Sequence, residues 1–561
     1  MDVSLILKLN EEHKKLEQAK FTYGTAGFRT LASTLDPVLF RVGLLASLRS
    51  KKLNSKFIGA MITASHNAAP VKIKSDFPKL TFKDNGVKLV EPLGEMLVQT
   101  WEPYATKLAN AETREDIVAC LTEIIETEKI DLTKQSNVAV ARDTRPSGEK
   151  LVESLKDGVI SLHGNLTNFG VLTTPQLHYN IRCLNTKAAK HPYGEVGEEH
   201  YYKKLSDAYK SITRGFKKLS PLYVDAANGV GAKALLALAK EIGSEYFDVF
   251  IVNADVANSE KLNFECGADF VKLKQKAPTG LELKSGMRCA SLDGDADRIV
   301  YYYADHDGKF KLLDGDKIAT LAAGFIMDLV RKANVTINGQ PPKFGLVQTA
   351  YANGSSTEYA SKKMQVPVVF TMTGVKHLHH AAEEFDIGVY FEANGHGTVL
   401  FSENVINAFS DVNGKTEEEI KSLNILKALS IVINQAVGDA LSDMLMVELI
   451  LTLNKQSLSD WDEAYTDLPS RQIKVKVSDR HIFKPIKADT ELLEPLGLQE
   501  KINAEVKKYS SARSFVRPSG TEDVVRVYCE AKTQKDVDEL SVAICTLVFD
   551  GYGGIGERTF I

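Results

Sequence analysis

The sequence predicts an α/β protein of several domains, and three observations carry this. Short apolar runs (SKFIGAMITAS, NVAVARDT, PLYVDAANG, RCASLDGD, DIGVYFEANG) each pass into a polar or glycine-bearing turn. Amphipathic stretches such as GAKALLALAKEI and DKIATLAAGFIMDLVRK lie between them. Strand, loop and helix in alternation mark parallel sheets covered by helices. The 561 residues, at roughly 150 per domain, correspond to about four domains. Ligands of such sheets bind outside the carboxyl ends of the strands. Four of those ends carry polar clusters: Ser65, Arg142-Asp143, the Asp293 region and Glu392.

The opening segment, Met1 to Lys20, is amphipathic and carries acidic residues, unlike a signal or transit peptide. Asn185–Lys204 reads as a linker or long surface connection. Further boundaries fall near Val405–Ser422 and Ser457–Ser470. The last hundred or so residues hold KVKV and VVRVYCEA with helix between and after them, a small α+β domain. The expected domains are 1–195, 196–312, 313–455 and 456–561. Composition is 44% hydrophobic and 25% charged, with a net charge of −4. That balance points to neither a nucleic-acid nor a membrane-surface partner, so an anionic ligand needs a local cluster of Arg and Lys. Six scattered cysteines without a CxxC pair read as reduced thiols of a cytoplasmic protein. No apolar run reaches the length of a membrane span.

Five motifs carry chemistry. Thr63-Ala64-Ser65-His66-Asn67 follows the apolar run FIGAMI. Its serine, exposed to a crevice at a strand's end, is either a nucleophile and phosphate carrier or a turn serine bonded to its own backbone. In Asp293-Gly294-Asp295-Ala296-Asp297-Arg298, alternate residues of an extended chain share a face, so three carboxylates converge. Their repulsion calls for a cation, and all-oxygen ligands favour Mg²⁺ or Ca²⁺. An EF-hand is excluded, because Arg298 and Ala304 stand where its Gly and Glu would be. Phe391-Glu392-Ala393-Asn394-Gly395-His396-Gly397 offers donors and acceptors for sugar hydroxyls, or simply caps a helix. Arg517-Pro518-Ser519-Gly520-Thr521, with Arg526 beyond it, offers a guanidinium fork, hydroxyls and backbone donors to a phosphate. It is not a Walker A loop, and a helix N-cap is compatible with it. Thr373 to His380 (TGVKHLHH) lacks the helical spacing of a zinc pair. Lys376 and His377 are candidate substrate contacts or plain surface residues.

Taken in order, these motifs resemble the α-D-phosphohexomutase superfamily. The likeness rests also on Tyr23-Gly24-Thr25-Ala26-Gly27-Phe28-Arg29, Asp84-Asn85-Gly86-Val87-Lys88, RDTR, DAANG, NFECGAD, LLDGDK and QTAYANGSST, and it spans nearly the whole chain. The FEANGHG and TGVKHLHH forms resemble the acetylglucosamine branch. The resemblance implies three α/β domains with mixed, largely parallel sheets and a smaller C-terminal α+β domain around a central cleft, the last domain moving to admit and release sugar. It implies a phosphoryl group on Ser65, and one Mg²⁺ per chain held by Asp293, Asp295, Asp297 and the phosphoserine. It further implies a sugar 1,6-bisphosphate as primer and intermediate. N-acetylglucosamine 6-phosphate and 1-phosphate would be interconverted on the route to UDP-N-acetylglucosamine. Arg29 would assist the nucleophile, and Lys88 and His396 would move protons to and from sugar hydroxyls. Glu392, Ala393, Asn394, Lys376 and His377 would contact the sugar. Arg517, Pro518, Ser519, Gly520, Thr521 and Arg526 would grip the phosphate that is not reacting. The partner would be a small amino-sugar phosphate, in a monomer or a homodimer.

Two departures from the family stand out. Ala68-Ala69-Pro70 and VKIKSDFPKLTFK intervene before Asp84, adding Lys72, Lys74, Lys79 and Lys83 and moving Lys88 along the chain. The tail FDGYGGIGERTFI has no counterpart and is expected to be peripheral or mobile. Phosphoglucomutase or phosphomannomutase activity, an aspartyl-phosphate phosphatase built on Asp293, and an inactive sugar-phosphate-binding paralogue stay open as alternatives.

Overall fold

The computed structural model describes residues 1–16, 19–24, 26–68, 84–411, 414, 416–519 and 524–558. The insertion at 69–83, Thr25, Gly520 and Thr521 lie outside the described residues. The chain forms two compact units, residues 1–312 with 428–455 and residues 313–427 with 456–561.

Unit 1 holds two five-stranded mixed sheets. The first runs in the order β1 (Phe28–Thr30), β3 (Asn85–Val90), β2 (Phe57–Ile62), β4 (Asn137–Arg142), β5 (Asn165–Val171). β2, β4 and β5 are parallel, while β3 is antiparallel to both β1 and β2. The second runs β10 (Phe310–Leu313), β9 (Ile299–Ala304), β8 (Arg288–Leu292), β6 (Leu222–Asp225), β7 (Val249–Val252). Its parallel part is β7, β6 and β8, and β9 returns antiparallel to β8. The expectation of largely parallel sheets thus holds for β2, β4 and β5 and for β8, β6 and β7, with the antiparallel pairings gathered on the other side of each sheet. Between β8 and β9 a short connection turns the chain straight back into an antiparallel pair.

Each strand read from the sequence is present, and its buried apolar side chains explain why. β8 is buried throughout and β4 almost so, the continuous pattern of a strand covered on both faces. The stretch 185–204 is not a free linker. Its last residues open the helix Glu198–Thr213, and Tyr193 ahead of them is pinned under cations. Arg182 stands 4.4 Å and Lys204 3.5 Å from the Tyr193 ring centroid. The helix Ala440–Asn454 belongs to unit 1 and is capped by Asp439, whose side chain accepts from Leu441 and Ser442 N–H and from the Tyr201 hydroxyl.

Unit 2 has a four-stranded sheet in the order β12 (Val368–Thr371), β11 (Phe344–Thr349), β13 (Ile387–Phe391), β14 (Gly397–Phe401). The first three are parallel and β14 is antiparallel. Its C-terminal part is α+β, as expected: β15 (Ser470–Lys476), β19 (Val524–Glu530) and β18 (Arg513–Pro518) form an antiparallel sheet, beside a hairpin of β16 (Lys484–Ile486) and β17 (Glu491–Glu494). The tail is less peripheral than expected. Ser478 N–H donates to the Gly553 carbonyl at 2.8 Å and Ile555 N–H to the Lys476 carbonyl at 3.0 Å. Gly553, at φ 79°, makes the turn that brings this segment back.

The N-terminal helix Val3–Asn10 leads to His13, which bonds Asp36 at 3.0 Å and Asp157 at 3.2 Å and stacks on Phe40. Burial lowers the His13 pKa, but the two carboxylates outweigh it and the net shift is upward. The protonated imidazole therefore stabilises the fold fully below the unfolded value near 6.5, and that contribution is lost as pH rises through the raised folded value. His13→Gln should lower stability by about 1 kcal/mol at pH 6 and by clearly less at pH 8.5, read from denaturant midpoints at the two pH values.

Candidate active site

The loop Thr63–Asn67 leaves the carboxyl end of β2. Ser65 is fully buried and adopts φ 50°, the left-handed region. Its N–H donates to Thr63 Oγ1 at 2.9 Å, and the Thr63 hydroxyl donates to Asp143 Oδ2 at 2.7 Å. The Ser65 hydroxyl donates to Asp293 Oδ2 at 2.8 Å. The expected crevice-exposed serine is therefore covered, because groups from three other segments close over its loop. The backbone of Ser65 is locally bonded, as in a turn serine, and its hydroxyl points to the acidic trio.

That trio sits in the loop between β8 and β9. Asp293, Asp295 and Asp297 are all buried, and their carboxylate oxygens lie within 4.8 Å of one another. Burial, then the charges of Asp297 and Asp295, push the Asp293 carboxyl well above the usual range. Its Oδ1 accepts the N–H groups of Asp297 (3.0 Å) and Arg298 (3.2 Å). Both Asp293 oxygens are thus engaged, which argues against Asp293 as a free nucleophile. Asp295 Oδ2 accepts the Thr174 hydroxyl at 2.5 Å, while its buried Oδ1 has no hydrogen-bond partner. Ala440 N–H supports the loop from behind through the Ala296 carbonyl at 3.1 Å. Three converging carboxylates and an orphaned buried oxygen fit a hard divalent cation, which would supply neutralisation of charge on a transferred phosphoryl group.

Cations surround the trio. Lys88 Nζ lies 3.6 Å from Asp297 Oδ2. The insertion has not carried it away, because β3 pairs with β2 in a register that sets Lys88 opposite Met61. Arg298 approaches Asp293 and Asp297 at 3.9 and 3.7 Å and binds Asp269 at 2.8 Å. Arg29 is placed opposite Gly86 on β1. Its buried Nε has no hydrogen-bond partner, and burial followed by the Arg298 charge lowers its pKa against the pull of Asp295 and Asp297. Such a guanidinium is suited to an incoming anion. His66, beside Ser65, is lowered to about 3, first by burial and then by the Arg298 charge.

In unit 2 the parallel strands β12, β11 and β13 end at one edge, which brings their loops to the same end of the sheet. Glu392, Ala393, Asn394 and His396 form the tight turn from β13 to β14. Glu392 N–H donates to the His396 carbonyl (2.8 Å), His396 N–H to Asn394 Oδ1 (3.1 Å) and Asn394 Nδ2 to Glu392 Oε2 (3.2 Å). Gly315 seats this turn on the helix Gly315–Lys332, since a Cβ there would stand 1.9 Å from the Glu392 carbonyl oxygen. Lys376 and His377 open the helix Val375–Ala382 after β12, Lys376 buried and His377 half-buried.

Arg517 on β18 and Arg526 on β19 are direct cross-strand partners. Like charges in that position repel, so the pair suits an anion. Pro518 follows, and Ser519 N–H donates to the Val524 carbonyl at 2.9 Å. The sequence did not reveal Asp489 or the role of Tyr351. Asp489 Oδ2 lies 3.6 Å from Arg517 Nε and accepts Thr373 N–H at 3.0 Å, joining two of the expected substrate loops. The Tyr351 ring packs on Phe515 and lies 6.0 Å from the Arg517 guanidinium. Tyr351 stood inside a quoted motif. Asp489 had no local signal.

Comparison with known proteins follows the same order along the chain. Family models match residues 102–191 (phosphoglucomutase/phosphomannomutase, alpha/beta/alpha domain I) and 196–300 (phosphoacetylglucosamine mutase AMG1, domain II). Others match residues 314–456 (phosphoacetylglucosamine mutase AMG1, domain III) and 473–547 (phosphoglucomutase/phosphomannomutase, C-terminal domain). The chain is 50% identical over 563 residues to phosphoacetylglucosamine mutase of Homo sapiens, covering 100% of this chain and 99% of that one. It superposes on the crystal structure of Aspergillus fumigatus N-acetylphosphoglucosamine mutase in complex with GlcNAc-6P and magnesium, with TM-score 0.91, 48% identity and 98% of each chain covered. A serine-to-alanine form of the Aspergillus protein in complex with glucose 1,6-bisphosphate gives TM-score 0.92, 48% identity and 99% of each chain.

If the trio holds a divalent ion, the ion binds only the folded chain and stabilises it. Saturating Mg²⁺ should raise the thermal midpoint by roughly 2 °C or more. Asp295→Asn should weaken Mg²⁺ binding at least about tenfold in calorimetric titration and remove most of that rise.

Proposed function

The chain belongs to the phosphoacetylglucosamine mutase family of the α-D-phosphohexomutases, and from that premise we propose how its residues perform the reaction. The enzyme interconverts N-acetylglucosamine 6-phosphate and N-acetylglucosamine 1-phosphate through a phosphoserine and a sugar 1,6-bisphosphate, with Mg²⁺ as cofactor. The observation that carries the residue assignment is the 2.8 Å bond between Ser65 Oγ and Asp293 Oδ2, inside a cluster of three buried carboxylates.

In the proposed cycle phosphorylated Ser65 gives its phosphoryl group to O1 of N-acetylglucosamine 6-phosphate. The P–Oγ bond breaks and Ser65 Oγ takes up a proton, while the P–O1 bond forms and the O1 proton passes to a base of the site. The bisphosphate then presents its other end. The P–O6 bond breaks and the P–Oγ bond forms, Ser65 Oγ giving up its proton to a base of the site as a proton is delivered to O6. Phosphoryl transfer needs positioning and charge neutralisation more than covalent help. Asp293, Asp295, Asp297 and the phosphoserine would hold Mg²⁺, and Arg29 would steady the transferred group. Lys88 and His396 are the proposed proton carriers. Glu392, Ala393, Asn394, Lys376 and His377 would contact the sugar. Arg517, Pro518, Ser519, Gly520, Thr521 and Arg526 would hold the phosphate at rest. Because that grip accepts a phosphate on either carbon, both ends of the intermediate can reach one serine.

The limits 1–195, 196–312, 313–455 and 456–561 serve as proposed domains. We place the enzyme in the cytoplasm on the route to UDP-N-acetylglucosamine, supported by six buried free cysteines. Among the described residues no helix is long and apolar enough to cross a membrane.

A coupled assay with N-acetylglucosamine 6-phosphate, Mg²⁺ and trace glucose 1,6-bisphosphate tests the assignment. Ser65→Ala should abolish turnover and remove the labelled phosphopeptide containing position 65. Wild-type turnover by Ser65→Ala would overturn it. Arg517→Lys should raise KM for the sugar phosphate roughly tenfold while changing kcat much less, because a lysine cannot reproduce the guanidinium fork.

A further inference from the structure

We infer that Asn263 is a positioning residue that locks the nucleophile loop onto the segments carrying the acidic trio. The inference rests on the reading of Ser65 as the phosphoryl carrier. Asn263 Nδ2 donates to the Ser65 carbonyl at 2.9 Å and to the Asn67 carbonyl at 3.2 Å. Arg145 Nη2 reaches the same two oxygens, at 3.3 and 2.6 Å. Two donors from distant parts of the chain thus converge on one pair of carbonyls. One of these carbonyls belongs to Ser65 itself, whose φ of 50° lies in the left-handed region, which a serine occupies at a cost of roughly 1 kcal/mol or more. The clamp offsets that cost and fixes which way the Ser65 side chain leaves the backbone.

The clamp also reaches the metal side. A Cβ on Gly294, inside the acidic loop, would stand 2.6 Å from Asn263 Nδ2 and 2.7 Å from the Ser65 carbonyl oxygen. One amide therefore presses the nucleophile loop and the acidic loop together, and sets the frame in which Ser65 meets Asp293. Asn263 is itself held firmly. Its N–H donates to the Ala227 carbonyl at 3.0 Å. Asp225, buried beneath, accepts Ala227 N–H (3.0 Å), Gly267 N–H (2.7 Å), Asn253 Nδ2 (2.9 Å) and the Ser291 hydroxyl (2.8 Å). The DAANG and NFECGAD segments, which hold no assigned site residue, thereby acquire a purpose: they build the platform for Asn263.

Ser65 is used twice in each turnover, so loosening the clamp should appear in kcat and not in affinity for the sugar. Asn263 has φ 55°, so Asn263→Gly keeps the backbone conformation and deletes only the amide. Asn263→Asp keeps the shape, tolerates the same conformation, and turns an acceptor toward two carbonyls. Both variants should lose about 100-fold in kcat, with KM for N-acetylglucosamine 6-phosphate within about threefold and a nearly unchanged thermal midpoint. Single-turnover phosphorylation of Ser65 by glucose 1,6-bisphosphate should slow in parallel. Wild-type kcat in Asn263→Gly would overturn the inference. So would restoration of activity by Asn263→Asp, which would assign the residue to shape alone, or a loss explained by unfolding in both variants. Ser65→Ala assayed alongside separates the two readings: its full activity would overturn the mutase mechanism, whereas its inactivity beside a normal Asn263→Gly would overturn only the clamp.

Discussion

Three buried carboxylates within 4.8 Å of one another govern the design of unit 1. Charges of one sign at that distance, away from water, repel strongly. The fold answers with partial remedies. Asp293 is pushed toward its protonated form and takes two backbone N–H groups and the Ser65 hydroxyl. Asp295 takes the Thr174 hydroxyl, and Lys88 and Arg298 stand beside Asp297. None of these is a full counter-charge for the cluster. A divalent ion would complete it, so under the proposed assignment the same constraint that destabilises the free chain would prepare it for its cofactor. Ser65, the proposed phosphoryl carrier, sits inside this arrangement, not beside it.

The insertion before β3 shows how such a site tolerates change. Loop length alone alters closure entropy only slowly. What locates Lys88 is the ladder between β2 and β3, where Met61 faces Lys88 and Ile62 faces Val87. A one-residue slip would turn Lys88 to the opposite face. A dozen or so residues added in the connection leave the register alone, and the lysine returns to Asp297. Distance along the sequence was the wrong measure of displacement here. Register was the right one.

The strands were legible because each couples an apolar run to a polar turn, and the acidic trio was legible because its ligands are neighbours in sequence. The antiparallel members of the sheets were less so, since periodicity does not report strand direction. The depth of Ser65 was misjudged for a related reason. A turn after a strand is normally exposed, but Asn263 and Arg145 arrive from far along the chain to cover this one. Thr174, Asn263 and Asp489 are single polar residues whose partners lie at great sequence distance, and no local pattern marks them. Asn263 stood within a segment that supports the family resemblance, yet only coordinates reveal that its amide reaches the nucleophile loop. The C-terminal tail was expected to be peripheral or mobile because it had no counterpart in the family, yet Gly553 provides the turn that attaches it.

Each unit stores a repulsion of opposite sign. Unit 1 gathers carboxylates, and unit 2 sets Arg517 directly across from Arg526. Cross-strand like charges are unfavourable in a free sheet, and the nearby Asp489 relieves Arg517 only in part, at 3.6 Å. A cation resolves the first and a phosphate the second. This division suits a reaction in which the sugar must leave one orientation and adopt another without losing its phosphates. Arginine forks recognise the phosphate group itself and are indifferent to the carbon that carries it, whereas under the proposed assignment the serine and acidic trio would act on whichever phosphate or hydroxyl is brought to them. Selectivity for the reacting end therefore need not be built into either charge cluster. Under that assignment it would fall to the neutral and singly charged groups of the β13–β14 turn, the proposed readers of the sugar's hydroxyls, and tightening either electrostatic grip alone would bind the intermediate more firmly without helping it turn.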